Sequence, residues 1–224
     1  MISIIVPVLN EAEQLEAFFE RLGLQSGERE VILADGGSRD ASEGIASGRA
    51  RWVTSPPGRA LQMNAGAAAA GGDILLFLHC DTALPPGGLE MIEEAMRDEN
   101  TAGGGFTHRF DRNDRFSRFI SLTANTRARR WKLYFGDQAI FVRRRVFERL
   151  GGYAEMPLFE DWDLSARMRS EGNITLIEAP ITTSARRIEV WGKRKCFTVW
   201  WGLSILYALG VPTERLARYY EHIR

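Results

Sequence analysis

The chain has 224 residues, of which 45% are apolar, and its 29 basic and 29 acidic side chains give a net charge of zero. This length and composition suit one domain with a single sizeable core, and no internal repeat or low-complexity linker divides it. The two cysteines, Cys80 and Cys196, exclude a disulfide-built secreted scaffold and a cysteine zinc module, and because no basic segment precedes the first apolar run, we expect a cytoplasmic protein.

Apolar runs and helical patterns alternate through the first half of the chain. Strands are predicted at 2–8, 30–34, 51–54 and 73–78, with helices at 11–24, 40–47 and 59–70 between them. Strands that alternate with helices in this order form mostly parallel sheets with helices on both faces. We therefore predict an α/β fold with a Rossmann-like central sheet.

The second half is less regular. A helix is predicted after Pro85 and Pro86, followed by a strand at 102–110, a basic helix at 113–131, a strand at 139–142, a helix after Glu160, extended stretches at 174–177 and 181–188, and C-terminal helices. Glycines 103–105 within one predicted strand indicate a bulge or the close approach of a ligand to the backbone.

Charge is unevenly distributed along the chain. Residues 109–149 carry 12 basic and 4 acidic side chains, whereas residues 1–108 carry 7 basic and 16 acidic ones. A basic segment of this kind attracts an anionic acceptor, a phospholipid surface or nucleic acid, or it is simply a solvated helix face. We expect no nucleic-acid partner.

Polar or turn-forming residues lie at the ends of three of the predicted parallel strands. They are Pro7, Asn10 and Glu11, then Asp35, Gly36 and Gly37, and finally His79 and Asp81. Carboxyl ends of parallel strands meet at the edge where α/β sheets bind ligands. Neither the glycine-rich dinucleotide motif nor a P-loop is present, so a different mode of nucleotide binding is needed.

Five segments in order resemble the signature of family 2 inverting glycosyltransferases, which have the GT-A fold. They are IIVPVLNE at 4–11, DGGSRD at 35–40, GRA with NAG at 58–60 and 64–66, LHCDT at 78–82, and FED at 159–161. The match covers roughly the first 170 residues. More narrowly, FLH at 77–79 with Arg186 and Arg187 is similar to a small bacterial group of selenodomain-associated transferases.

The resemblance implies a nucleotide-diphosphate-sugar donor, with a UDP-sugar expected, and a divalent cation, Mn²⁺ or Mg²⁺. Asp81 matches the metal-binding end of the family's Asp-x-Asp motif, although a strand-end turn with Thr82 is the alternative. The cation would neutralise the leaving diphosphate as a Lewis acid. His79 replaces the first aspartate of the motif, so it contacts the ribose, ligates the metal, or is held by a backbone hydrogen bond.

Other positions are assigned to the donor by the same resemblance. They are Pro7, Asn10, Glu11, Asp35, Gly37, Arg59, Asp137, Gln138, Arg186 and Arg187. Turn formation is the alternative for Asp35 and for Asp137. Arg59 reaches the phosphates or a distal partner, and the other two arginines clamp the diphosphate or form ordinary ion pairs.

Glu160 and Asp161 are the predicted catalytic pair. The resemblance makes Asp161 the general base that takes the proton of the acceptor hydroxyl, and a neighbouring carboxylate can raise the pKa of such a base. The alternative is that both acids complement the positive end of the helix that they open. Two rival functions remain: a nucleotidyltransferase of similar fold, and a non-catalytic module that binds sugar nucleotides.

The C-terminal tail is apolar at 197–211, which is fifteen residues and short of the roughly twenty that a membrane-spanning helix needs. It packs on the domain, or it lies at a membrane surface with Lys193, Arg194 and Lys195 beside it. We therefore predict a catalytic domain at 1–190 and a helical appendage at 191–224, cytoplasmic or peripheral at the inner face of the membrane. The acceptor is a hydroxyl compound, anionic or lipid-linked.

Overall fold

The computed structural model describes residues 1–220. Its strands are β1 (Ile2–Val8), β2 (Arg29–Asp35), β3 (Arg51–Thr54), β4 (Ile74–Phe77), β5 (Thr82–Ala83), β6 (Thr101–Phe110), β7 (Phe141–Arg143) and β8 (Asn173–Thr183). Its helices are α1 (Ala12–Gly23), α2 (Ser42–Ala46), α3 (Arg59–Ala69), α4 (Gly88–Ala95), α5 (Arg115–Trp131), α6 (Arg144–Arg149), α7 (Glu160–Met168), α8 (Arg186–Ala208) and α9 (Thr213–Leu216). Single 3-10 turns lie at Gly136–Gln138 and Ala217–Tyr219.

The strands form one eight-stranded sheet in the order β3-β2-β1-β4-β7-β6-β8-β5. The first four strands of that order are parallel to one another, as are β6 and β8, whereas β7 is antiparallel to both of its neighbours and β5 is antiparallel to β8. The predicted α/β class is confirmed. The antiparallel β7 joins two parallel groups of strands into one sheet.

Helices cover both faces of this sheet. Alternate residues of β1 point to opposite faces, and each set packs against a different helix. Ile4 and Val6 pack in one core cluster with Phe18 of α1. Ile5 packs in the other with Met63 of α3. The sheet is thus buried on both sides, and only its ends and edges are left to bind ligands.

The extended stretches predicted in the second half differ from the structure. The stretches at 174–177 and 181–188 were predicted separately, but β8 runs through to Thr183 with a register shift opposite Phe106 and Thr107, and Ile188 lies in α8.

A methyl group on Gly104 would collide with the carbonyl oxygen of Thr175 in β8. A second register shift lies between Thr101 and Gly103. The glycines therefore serve close strand packing and an irregular register, which is the bulge alternative.

The tail packs against the domain. Leu203 of α8 and Leu216 of α9 are buried with Leu158 in a separate apolar cluster. Gly192, with φ of 75°, breaks α8 close to the domain boundary predicted at 190/191. Among residues 1–220, no helix is long and apolar enough to cross a membrane.

Candidate functional site

The loops after β1, β2 and β4 lie side by side, as predicted, because these three strands are adjacent and parallel. Pro7 pairs with Ala34, and Val8 pairs with Asp35. Asn10, in the left-handed conformation with φ of 54°, joins the first two loops. Its backbone N–H donates to the Ser38 hydroxyl at 2.9 Å, and its side-chain oxygen accepts from the Arg39 backbone N–H at 2.8 Å.

Asp35 and Glu11 are also built into these loops. Asp35 is 6% exposed, and its carboxylate accepts from the backbone N–H groups of Gly37 and Ser38 at 3.1 and 2.9 Å. Gly37 has φ of 98°, which suits glycine. The Glu11 backbone N–H donates to the Ser42 hydroxyl at 3.1 Å, at the start of α1. The turn role of Asp35 is therefore visible in the structure, while its role toward a nucleotide stays a prediction.

Gln62 of α3 fixes the ends of the two strands, and sequence reasoning did not single it out. Its buried side-chain amide donates to the carbonyl oxygens of Val8 and Ala34 at 2.7 and 2.8 Å. The signal was a polar residue on the apolar face of a helix, between Ala60 and Met63. Buried amides are retained where backbone groups need a partner.

Arg59 pairs with Glu160 at 2.9 Å, which joins the first residue of α3 to the first residue of α7. The Glu160 side chain is 2% exposed and the Arg59 side chain 32%. Burial raises the pKa of Glu160, and Arg59 opposes that rise. The distal partner expected for Arg59 is thus Glu160, a buried carboxylate 101 positions further along the chain. The ion pair holds Glu160 in place.

Asp161, the predicted base, is 7% exposed. One carboxylate oxygen accepts from the Gly136 backbone N–H at 2.7 Å, and the other accepts from the Trp162 backbone N–H at 2.7 Å. The residue before the pair, Phe159, has φ of 65° and ends its loop in the left-handed conformation. Asp161 is therefore fixed in orientation by two backbone donors.

His79 lies against the same glycine. A methyl group on Gly136 would be 2.5 Å from the His79 Nε2 atom and 3.6 Å from an Asp161 carboxylate oxygen. Burial and the nearby Arg59 cation lower the pKa of His79, although the carboxylates of Asp81, Asp137 and Asp161 act in the opposite sense. The imidazole is consequently neutral at pH 7 and able to accept a hydrogen bond or ligate a cation.

Asp81 and Asp137 complete the acidic side of the site. One Asp81 carboxylate oxygen accepts from the Thr82 hydroxyl at 3.2 Å, and the Asp81 carbonyl accepts from the Ser184 backbone N–H at 3.2 Å. The Asp137 Oδ1 atom is buried without a hydrogen-bond partner among residues 1–220. Its Oδ2 atom lies 3.6 Å from Nε2 of the buried His108. Asp137 therefore has one buried carboxylate oxygen that no other described residue engages.

Arg187 faces these carboxylates from the start of α8. Burial and Arg59 lower the pKa of Arg187, while Asp81 and Asp137 counteract them. Its guanidinium contacts the Tyr220 hydroxyl and lies 5.0 Å from the centroid of that ring. For Arg186 the structure gives only a backbone contact, from its N–H to the Ser184 hydroxyl at 3.2 Å.

Gln138 is built into the core behind Asp137. Its side chain is fully buried, its oxygen accepts from the Arg127 guanidinium at 2.8 Å, and its nitrogen donates to the Phe106 carbonyl at 3.1 Å. The 3-10 turn at Gly136–Gln138 directs this amide into the core, and its contact with the donor stays a prediction. Arg127, which was not predicted, lies 3.5 Å from the centroid of the Phe135 ring.

An aromatic cluster stands beside Asp161. Phe159 stacks on Tyr207 of α8 at 4.6 Å between ring centroids, and Trp162 meets the same ring at 5.4 Å. Phe135 lies 5.7 Å from Trp162. The tail thus contributes one wall next to the predicted base, which the tail's sequence alone did not indicate.

Comparison with known proteins identifies the chain. The model of glycosyl transferase family 2 matches residues 3–151. The chain belongs to that family. It is therefore an inverting glycosyltransferase that uses nucleotide sugars.

Curated relatives of this family 2 glycosyltransferase include the PGL/p-HBAD biosynthesis glycosyltransferases of Mycobacterium tuberculosis and Mycobacterium bovis. They are 30% identical over 193 residues, which is 75% of this chain and 69% of theirs.

Solved structures share the fold at lower identity. The mannosyltransferase PcManGT from Pyrobaculum calidifontis, in complex with GDP-Man and Mn²⁺, aligns with a TM-score of 0.65 at 18% identity, over 98% of this chain and 69% of that one. TarS 1-349 of S. aureus with UDP-GlcNAc gives 0.63 at 17% identity, over 83% and 58%. These matches confirm the GT-A-like fold.

Proposed function

We propose that this family 2 glycosyltransferase binds a UDP-sugar at the carboxyl edge of β1, β2 and β4 and transfers the sugar to an acceptor hydroxyl by direct displacement, with Asp161 as the general base. The observation that carries the proposal is the contact chain Asp161, Gly136 and His79. It brings the predicted base to the end of β4, where the diphosphate is expected. The solved neighbours were determined with UDP-GlcNAc or GDP-Man, so the choice of UDP and of the sugar is part of the proposal.

The nucleotide is assigned to the loops around Asp35. Pro7, Asn10 and Glu11 line the first loop, and Asp35 with Gly37 forms the second. The hydrogen bonds between the loops support this assignment, because they fix the backbone before a ligand arrives. A preformed site avoids part of the entropic cost of binding.

Arg187 is proposed to contact the diphosphate. Its guanidinium is close enough to Asp81 and Asp137 for their charges to act on its pKa, and a planar guanidinium suits phosphate oxygens. Arg59 is proposed to reach the phosphates with the guanidinium donors that its pair with Glu160 leaves free, since its side chain is 32% exposed, and Arg186 is proposed to act beside Arg187.

The carboxylates suit a divalent cation that takes most of its ligands from the substrate and from water. Among the described residues, no cluster of three or more histidine, cysteine, aspartate or glutamate side chains is arranged to hold an ion alone. Asp81 and the neutral His79 would each supply one ligand to the ion, and Mg²⁺ or Mn²⁺ is commonly bound by one or two carboxylates plus phosphate oxygens. When bound, the cation would neutralise the diphosphate as it leaves.

Asp161 is proposed to accept the proton of the attacking hydroxyl. An ionised carboxylate has about four lone-pair sites, and the structure gives two of them to backbone donors. The remaining sites are proposed to receive the acceptor's proton, and the two backbone bonds fix the orientation of the carboxylate. Glu160 is proposed to support this geometry through Arg59.

The acceptor is proposed to carry an apolar or aromatic group beside its hydroxyl, on a lipid-linked or anionic carrier. Trp162 and Tyr207 border the base and would pack against such a group. We also retain as proposals the division into 1–190 and 191–224, a cytoplasmic location, and the narrower similarity to selenodomain-associated transferases.

Replacement of the base tests the proposal. Asp161→Asn is expected to lower kcat by about 100-fold to 10,000-fold, as removal of a general base does, and to leave calorimetric donor affinity nearly unchanged, because the base acts only in the chemical step. Asp163→Asn on the same helix is the control, since Asp163 pairs with Arg167 at 2.7 Å. Normal turnover in Asp161→Asn would remove Asp161 from the mechanism, and tight donor binding without transfer in the unaltered protein would favour the non-catalytic alternative.

A further inference from the structure

The α5 and α8 helices expose large apolar side chains on one surface, which we name the α5–α8 surface. Its members, with their exposed fractions, are Phe119 (46%), Leu122 (61%), Phe197 (42%), Trp201 (39%), Ile205 (53%), Leu206 (41%) and Leu209 (75%). Scattered single apolar residues are normal on a protein surface, whereas a contiguous group of this size indicates an interaction site.

Contacts and helical spacing make five of these side chains contiguous. The rings of Phe119 and Phe197 lie 6.5 Å apart and connect the two helices, and Phe197 lies 5.9 Å from Trp201. Phe197, Trp201 and Ile205 are spaced four residues apart, which places them on one side of α8. Leu122 extends the same strip on α5, three residues after Phe119.

Positive charge borders this strip. Arg115, Arg118 and Arg194 are exposed. No ion pair or side-chain hydrogen bond engages them within residues 1–220. Arg115 lies one helical turn before Phe119, and Arg194 lies one turn before Phe197. The three arginines are therefore available to an external anion.

The acidic neighbour of the strip is already neutralised. Asp114 pairs with Lys193 at 2.9 Å and with Arg112 at 2.8 Å. The partner that fits this surface is therefore apolar at its centre and anionic at its border.

We propose that the α5–α8 surface docks on an anionic phospholipid bilayer, with the aromatic and aliphatic side chains at the level of the headgroups and the arginines on lipid phosphates. Amphipathic helices with aromatic residues and a basic border bind at this depth. The helices lie on the bilayer, since none of the described ones is long and apolar enough to cross it. This proposal depends on the two helices and not on the catalytic assignments.

Co-sedimentation of the full chain with vesicles tests the proposal. We expect binding to phosphatidylcholine vesicles that contain about one third phosphatidylglycerol, weak binding to pure phosphatidylcholine, and loss of binding as salt is raised. Replacing Arg115, Arg118 and Arg194 together by Gln should weaken binding roughly 100-fold, because each basic side chain near an anionic surface contributes about fivefold. Replacing all three by Lys keeps the charge and should keep most of the binding.

Apolar variants supply the second arm. Phe197→Ser with Trp201→Ser should abolish vesicle binding, whereas Leu24→Ser, at a residue 83% exposed on a different surface, should leave it unchanged. An unchanged urea unfolding midpoint would show that each variant is folded. Equal binding to neutral and anionic vesicles would overturn the proposal. Absence of vesicle binding together with a concentration-dependent dimer, lost in the double variant, would also overturn it and assign the surface to a second copy of the chain.

Discussion

Replacing the arginine of the Arg59–Glu160 ion pair should lower the free energy of unfolding, by an amount that depends on pH. Arg59→Met keeps most of the side-chain volume and leaves Glu160, 2% exposed, without its partner. Loss of one partner from a fully buried pair costs about 3–5 kcal/mol. Because the Arg59 side chain is 32% exposed, we expect the lower part of that range or less, about 2–3 kcal/mol at pH 7.5.

The sign of the pH dependence follows from the direction of the shift. Burial raises the pKa of Glu160 above its ordinary value of 4.5, and loss of Arg59 raises it further. A carboxyl group whose pKa is raised in the folded state binds more protons in the folded than in the unfolded protein. It therefore lowers the free energy of unfolding by a growing amount as pH rises above its pKa in the unfolded chain. The penalty of Arg59→Met should therefore be smaller at pH 5 than at pH 7.5.

Urea unfolding at the two pH values measures the penalty, and a cycle with Glu160→Gln and the double variant isolates the pair energy. Glu160→Gln should remove most of the pH dependence, because the amide does not titrate. A penalty for Arg59→Met that is equal at both pH values, or a coupling energy near zero in the cycle, would refute the reasoning.

Three further predictions concern the site. Asp81→Ala should weaken calorimetric donor affinity in Mn²⁺, while Asp73→Ala, at the other end of the same strand, should not; equal affinities would remove Asp81 from the cation site. Gly136→Ala should lower kcat and cost about 1–3 kcal/mol of stability, because its methyl group would meet His79 at 2.5 Å; normal turnover would show that the contact is dispensable. Gln62→Leu should lower the free energy of unfolding by about 2–4 kcal/mol, since two buried carbonyls lose their donor, and urea midpoints within error of the unaltered protein would contradict this.

The donor side of the site was predictable because its signals are local. An apolar run that ends in a polar residue marks the end of a buried strand, and the alternation of strands and helices placed the ends of β1, β2 and β4 at one edge. The family motif then assigned roles to Asp35, Asp81 and Asp161, and those roles stay predictions.

What the sequence did not reveal depends on contacts between distant residues. No local pattern indicates that β7 inserts antiparallel between β4 and β6, or that Arg59 pairs with Glu160. The inward direction of the Gln138 amide was not visible in the sequence, because a short turn decides it. Tyr207 was unassigned because its place beside Asp161 depends on how the tail folds back.

The Arg59–Glu160 pair also limits how this enzyme can be recombined with its relatives. Arg59 belongs to the half of the chain assigned to the nucleotide sugar, and Glu160 precedes the proposed base in the other half. A chimera that exchanges one half alone would place a foreign residue opposite a buried charge. The donor half and the acceptor half therefore cannot be exchanged independently in this enzyme. Residues 59 and 160 have to be exchanged together.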